Sequence, residues 1–277
     1  MADQIKERKT LQESLLEDHP RMGEEDSFKF ACNKNAPCFT QCCADVNIVL
    51  TPYDVMRLKN RLKISSAEFL ERHTLVPFSK EQRLPVVLLK MQEDGRKACP
   101  FVKEGGCSVY EDRPWACRMY PIGVASPKSP EDKKFYFLLK EDTCKGHGDG
   151  KTWTVRQWMD DQGVGPYDEM GEHFKEITLH DFLLRGGELD AKKMEMFHMV
   201  CYDVDRFRRF VFESSFLKKF DLDPDRVEKA RNDDAELMKL GFLWLKFCLF
   251  GERVLEVRDE VKKHIQQAGG PKKARDK

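Results

Sequence analysis

Eight cysteines crowd one N-terminal stretch, as Cys32, Cys38, Cys42 and Cys43 and then Cys99, Cys107, Cys117 and Cys144. Four thiolates complete a tetrahedral metal site or hold an ordinary iron-sulfur cluster, so this set offers ligands for two centres or for one larger assembly. Such ligands need several backbones to converge, and Asn33, Asn35 and Pro37 between the first two cysteines favour turns over regular structure. The other two of the ten cysteines, Cys201 and Cys248, stand among aromatic and aliphatic neighbours at helical positions and read as core packing.

A chain of 277 residues can bury a substantial core without disulfides. Its charged opening, from Met1 to Lys9, lacks the apolar run and small-residue cleavage site of an export signal. The expectation is therefore a cytoplasmic protein whose thiols stay reduced, rather than a secreted disulfide framework. The 48 basic and 48 acidic residues cancel, which leaves no long-range field to recruit nucleic acid or anionic lipid. The most apolar run, Leu240 to Phe250, is about half a membrane span and contains Lys246, so it reads as a buried helix and no transmembrane segment is expected.

The fold class expected is mainly α with a small β element: an irregular, cysteine-rich metal-binding domain packed against a C-terminal helical module. The segments are a helical extension over 1–27, broken at His19-Pro20, the cysteine domain over 28–150, the helical module over 151–268, and a flexible basic tail over 269–277. Thr51-Pro52-Tyr53-Asp54 has the form of a capping box with proline in the first turn, and predicts a helix carrying Val55, Leu58 and Leu62. A second helix starts after Ser65 or Ser66. Pro85–Met91 and Lys134–Leu139 are short enough for strands, Gly146–Lys151 reads as a linker, and Thr152 or Thr154 caps a helix with Val155, Trp158 and Met159. Helices are then expected over 167–185, 189–219, 224–250 and 252–267, with Phe207, Phe210, Phe212 and Phe216 as core.

The cysteine spacings, C-x5-C-x3-C-C and C-x7-C-x9-C, match neither the paired C-x2-C of zinc ribbons nor the repeated run of bacterial ferredoxins. Adjacent Cys42 and Cys43 tend to point apart, so they serve two centres or wrap one compact cluster. Around Cys117, Pro114 and Pro121 restrict the backbone and Trp115 can shield a site. Arg113 and Arg118 can compensate thiolate charge or else pair with Glu111 and Asp112. Tyr120 joins the arginines as a supporting residue. His147 reads as an exposed turn histidine, with an extra ligand as the alternative. No phosphate loop, dinucleotide fingerprint, HExxH pair or nucleophile elbow is present in the sequence.

The strings CNKNAPCFTQCC with VLTPYDVMRL, and then CPFVKEGGCSVYEDRPWACRMYP, resemble the YkgJ-like cysteine-cluster family, described as zinc- or iron-chelating and often called iron-sulfur oxidoreductases. The resemblance covers about residues 28 to 148. It implies ligand roles for Cys38, Cys42, Cys43, Cys99, Cys107, Cys117 and Cys144. The opening departs from the family pattern, with three residues instead of two between Cys38 and Cys42. A flagellin lysine methylase also looks similar around its cysteine cluster.

Together these readings favour an iron-sulfur protein with a redox or electron-transfer role and a redox protein partner, all eight N-terminal cysteines holding the cofactor. A zinc-binding structural or interaction module and a metal-dependent protein-modifying enzyme are the alternatives. Catalysis, as an iron-sulfur oxidoreductase, is left open.

Overall fold

The structure, a computed structural model, describes residues 20–77, 83–125 and 134–268. Most of the expected N-terminal helix and the whole basic tail lie outside them. The chain is mainly helical with small β elements, all of them two-stranded sheets. Its contacts divide it into two interleaved units, Met1–Ile48 with Met91–Tyr167, and Val49–Lys90 with Asp168–Lys277. The expected cysteine domain over 28–150 is thus interrupted by a segment that packs with the helical unit.

In the first unit, Ser27–Phe30 pairs antiparallel with His147–Thr154. Exposure alternates along the short strand and turns Phe28 and Phe30 inward. They meet Trp158, whose ring centroid lies 6.0 Å from Phe28 and 5.5 Å from Phe30, in a core completed by Met119, Ile122, Tyr136 and Val155. Ile122–Ala125 and Phe135–Leu138 form a second antiparallel pair beside it. Thr154 caps the Val155–Asp161 helix reciprocally with Gln157, each side chain accepting the other's backbone N–H at 3.1 Å.

The stretch read as a linker is largely strand, and its glycines permit close backbone approach. A Cβ at Gly146 would lie 2.4 Å from the Ala31 carbonyl oxygen, and one at Gly150 equally close to the Ala31 Cβ. Gly146→Ala is therefore expected to push the chain away from Ala31 and lower the stability of the full chain by about 1–3 kcal/mol in thermal or urea unfolding.

The helical unit begins as its sequence implies. Thr51 Oγ1 accepts the Asp54 N–H at 3.2 Å and Asp54 Oδ2 accepts the Thr51 N–H at 2.8 Å, which starts Pro52–Leu62. Ser65 caps Ser66–His73. Farther along, the long helices expected are cut into shorter ones. Asp203 opens Val204–Glu213 after Ala191–Cys201, and Asp233 opens Asp234–Phe250 after Pro224–Asn232. In each case an aspartate side chain takes the free N–H groups of a new helix in place of the backbone continuing the old one. Phe207, Phe210 and Phe216 surround Trp244 at 5.9, 4.9 and 5.9 Å, as core packing requires, while the Arg231 guanidinium covers Phe212 at 4.3 Å. Cys201 is fully buried and Cys248 half-buried. Among the described residues no helix is long and apolar enough to cross a membrane.

One part of the expected fold class needs correction. The cysteine-rich segment does not fold round a metal-binding cluster: among the described residues no group of three or more His, Cys, Asp or Glu side chains is placed to hold a metal ion. A thiolate–zinc bond is only about 2.3 Å long, so sulfurs sharing one ion must nearly touch. Here the cysteines are held in separate turns and hairpins by their own backbone hydrogen bonds, among them Cys99 N–H to the Cys43 carbonyl at 2.7 Å and the short Val102–Cys107 pairing.

Candidate thiol site

Gln41–Cys43 forms a single 3-10 turn, entered through Thr40 in the left-handed region at φ 64°. Three residues per turn set neighbouring side chains about a third of a revolution apart, so Cys42 and Cys43 serve different surroundings. Cys42 lines a cleft with Cys32, Cys38 and Cys144, walled by Phe30, Ala31, Ala36, Tyr120, Thr143 and Gly146. Cys43 lies within electrostatic reach of Cys117 and Cys99, and Cys99 in turn of Cys107. Cys42 thus lines this cleft with three other thiols, and Cys43 does not. All eight are free thiols, from the buried Cys99 to the exposed Cys32.

The chain builds the cleft from three sides. Cys32 follows the strand that carries Phe30, Cys42 sits in the 3-10 turn, and Cys144 closes a turn in which its N–H donates to the Glu141 carbonyl at 2.9 Å. The Ala31 N–H donates to the Gly146 carbonyl at 3.0 Å and the Lys145 N–H donates to Cys38 Sγ at 3.3 Å, which ties the 144–146 segment to both halves of the first cysteine group.

A hydrogen bond from Cys43 lowers Cys42 to about 7, against the opposing effect of burial, while the same bond and then burial raise Cys43. Cys32 is raised by burial first and then by Cys42, Cys144 and Cys38, with Arg113 pulling the other way. Burial also raises Cys99 and Cys107, and Arg113 again partly offsets this at Cys107.

Arg113 and Arg118 are both buried. Arg118 donates to the carbonyls of Arg113 at 3.0 Å, Gln162 at 2.6 Å and Glu111, and lies 4.5 Å over the Tyr167 ring. It staples the Cys117 helix to the turn before it and to residue 162. Arg113 donates to the Tyr110 carbonyl at 2.6 Å and to Gln162 Oε1. Arg113 opposes the effect of burial on Cys32 and Cys107, and the bonds of Arg118 are scaffolding.

Tyr120 stacks edge-on to Phe30 at 6.0 Å, and its hydroxyl is closed off from solvent without a regular hydrogen bond. His147, on the other side of Phe30 at 5.3 Å, has a shielded Nε2 and is lowered by burial. His147 therefore begins a strand and is partly shielded, in place of the exposed turn expected. Phe30, Thr143 and the Lys145 amide were not singled out from sequence. The phenylalanine of an alternating strand just before Cys32, and the residues flanking Cys144, were the available signal.

This geometry also corrects the cofactor and function expected from sequence. An iron-sulfur cluster, a zinc ion and a metal-dependent protein-modifying site each need at least three converging ligands, and none of the described residues are so placed. The thiols influence one another's charge without closing on a common point.

Residues 31–145 match the family model CxxCxxCC, whose description reads "Putative zinc- or iron-chelating domain". Neither a curated protein nor a solved structure matches the chain.

Proposed function

We propose, from the membership of residues 31–145 in the CxxCxxCC cysteine-cluster family, that this segment acts through its own thiols, by dithiol–disulfide exchange in the cleft that Cys42 shares with Cys32, Cys38 and Cys144. The observation that carries the reading is that four free thiols, three from residues 32–42 and the fourth Cys144, line one cleft. The family description names chelation. The described residues do not fit a preformed centre, and no step below passes through a metal.

In the exchange, the Cys42 thiolate attacks one sulfur of a disulfide-bearing acceptor. A mixed disulfide forms, the acceptor's S–S bond breaks, and the departing thiolate takes up a proton. Cys32, exposed and lining the same cleft, then gives up its proton and attacks the Cys42 sulfur. The second acceptor thiol leaves, so two electrons have passed from the Cys32–Cys42 pair to the acceptor. A reducing, cytoplasmic setting suits such free thiols, and a disulfide-bearing protein suits the role of partner.

Incubating the reduced full chain with oxidised glutathione, then blocking free thiols and mapping peptides, is expected to show a Cys32–Cys42 disulfide with Cys201 and Cys248 still free. Cys42→Ser should abolish it. Persistence of all eight N-terminal thiols in the reduced state, or glutathione captured chiefly at Cys248, would sink the reading.

A further inference from the structure

We propose that Cys43 and Cys99 are a redox-active cross-strand pair, closing as a disulfide that joins the first cysteine string to the second; this goes beyond the exchange reading above, since neither residue lines the cleft. The backbone carries the case. Ala44 and Ala98 form an antiparallel bridge. On one side of it the Asp45 N–H donates to the Lys97 carbonyl at 3.0 Å, and on the other the Cys99 N–H donates to the Cys43 carbonyl at 2.7 Å. That register sets Cys43 opposite Cys99.

Opposed residues of such a ladder lie on one face of it, and where they are hydrogen-bonded their Cα atoms stand about 5.5 Å apart. A disulfide spans Cα separations of roughly 4.4–6.8 Å, so the two backbones stand at bridging distance. The Cys43 N–H donates to the Thr40 carbonyl at 3.2 Å, and the pair is therefore held by one ladder bond. Side chains clamp the same two stretches on either side of it. Lys97 Nζ lies 2.9 Å from Asp45 Oδ1, and Arg96 donates to the Thr40 carbonyl at 2.9 Å. Both thiols are free.

Cys43 is half-buried and Cys99 buried, which orders the chemistry. The Cys43 thiol gives up its proton and its thiolate attacks one sulfur of an acceptor disulfide; the acceptor's S–S bond breaks and the departing thiolate takes up a proton. Cys99 then gives up its proton and attacks the Cys43 sulfur, the second acceptor thiol leaves, and two electrons have passed from the pair to the acceptor. The hydrogen bond with Cys42 and then burial raise Cys43, and burial raises Cys99, so the step quickens as pH rises. The bridge encloses Val49–Lys90, the segment that packs with the helical unit. Closing so long a loop restricts the unfolded chain, and oxidation therefore raises resistance to unfolding.

The test is incubation of the full chain carrying Cys42→Ser, which removes exchange in the cleft, with oxidised glutathione at about pH 8.5, where more thiolate is present. Peptide mapping after thiol blocking should show Cys43 joined to Cys99, and the urea midpoint should shift upward and return when dithiothreitol is added. A further Cys99→Ser should lose the crosslink and the shift together; Cys43→Ser, at the less buried position, should do the same and serves if the first does not fold. Cys43 joined to Cys117 instead, no disulfide at Cys43, or a crosslink whose formation fails to raise the midpoint overturns the inference. In the unaltered chain, Cys32–Cys42 without Cys43–Cys99 overturns this inference alone, and Cys43–Cys99 without Cys32–Cys42 overturns the exchange reading alone.

Discussion

Cys43→Ala is expected to raise the pH at which Cys42 reacts with iodoacetamide, from about 7 toward or beyond the ordinary thiol value of 9.0. Only the thiolate reacts, and the hydrogen bond from Cys43 is the largest influence favouring it. With that donor gone, burial and the charge of Glu141 act on Cys42 in the direction of protonation. At pH 7 the alkylation rate at Cys42 should fall by on the order of tenfold or more, and the difference should vanish at high pH where both forms are ionised. Cys43→Ser keeps a hydroxyl donor and should recover much of the rate. The check is alkylation of the full chain across a pH series, read at the Cys42 peptide by mass spectrometry. A midpoint unmoved by alanine would show that Cys43 does not hold Cys42 down.

The second large effect lies in the helical unit. Lys59 is almost wholly buried, and its Nζ sits 2.8 Å from Asp205 Oδ1 and 3.2 Å from Asp234 Oδ2. Arg208 reaches the other Asp234 oxygen at 2.6 Å, Asn60 donates to Asp234 at 3.0 Å, and the Ser66 N–H donates to Asp205 at 2.7 Å. These bonds join Pro52–Leu62, Ser66–His73, Val204–Glu213 and Asp234–Phe250. Lys59→Met keeps the packing volume but leaves two partly buried carboxylates facing each other without their shared cation. A loss of about 3 kcal/mol in urea unfolding at neutral pH is expected. The exposed Lys97–Asp45 pair, at 2.9 Å, is the control: Lys97→Met should change stability by less than about 0.5 kcal/mol.

The same network makes an acid dependence. Burial alone would raise Asp205 and Asp234, but the bonds from Lys59 and Ser66 at the first, and from Arg208, Asn60 and Lys59 at the second, leave both below the ordinary carboxylate range. A carboxylate whose folded value is depressed stabilises the fold fully above its unfolded value, here 3.8, and loses that contribution as pH falls through the folded value. Acid unfolding of the unaltered chain therefore draws on this network below about pH 4. In Lys59→Met the two values rise, and the acid limb should begin at higher pH.

Much of the local structure was legible in the sequence because its causes are local. Thr51, Pro52 and Asp54 are within four residues of one another, and the hydrogen bonds they make need nothing from the rest of the chain. Thr154 before Val155 is the same case. The aspartates at 203 and 233 carried a comparable signal, but apolar periodicity on both sides outweighed it and the helices were read through. At Gly146–Lys151 the glycines and aspartate suggested a linker, since nothing nearby in sequence reveals that Ser27–Phe30 pairs with this stretch across more than a hundred residues. A glycine required by a distant backbone looks, in sequence, like one required by flexibility.

The thiol site shows the same division. That Cys42 and Cys43 would part company could be read from their adjacency, and only Cys42 lines the cleft. Sequence order grouped Cys32, Cys38, Cys42 and Cys43 against Cys99, Cys107, Cys117 and Cys144. The tertiary structure regroups them: Cys144 joins the first cleft, which Cys43 does not line, and the Cys43 carbonyl accepts from the Cys99 N–H. It also withholds the convergence a metal centre needs. The reason is that sulfur positions depend on backbone hydrogen bonds made far along the chain, Ala31 to Gly146, Lys145 to Cys38 and Cys99 to Cys43. Residue spacing sets how far each thiol can reach, and only the paired strands and turns decide which thiols it meets.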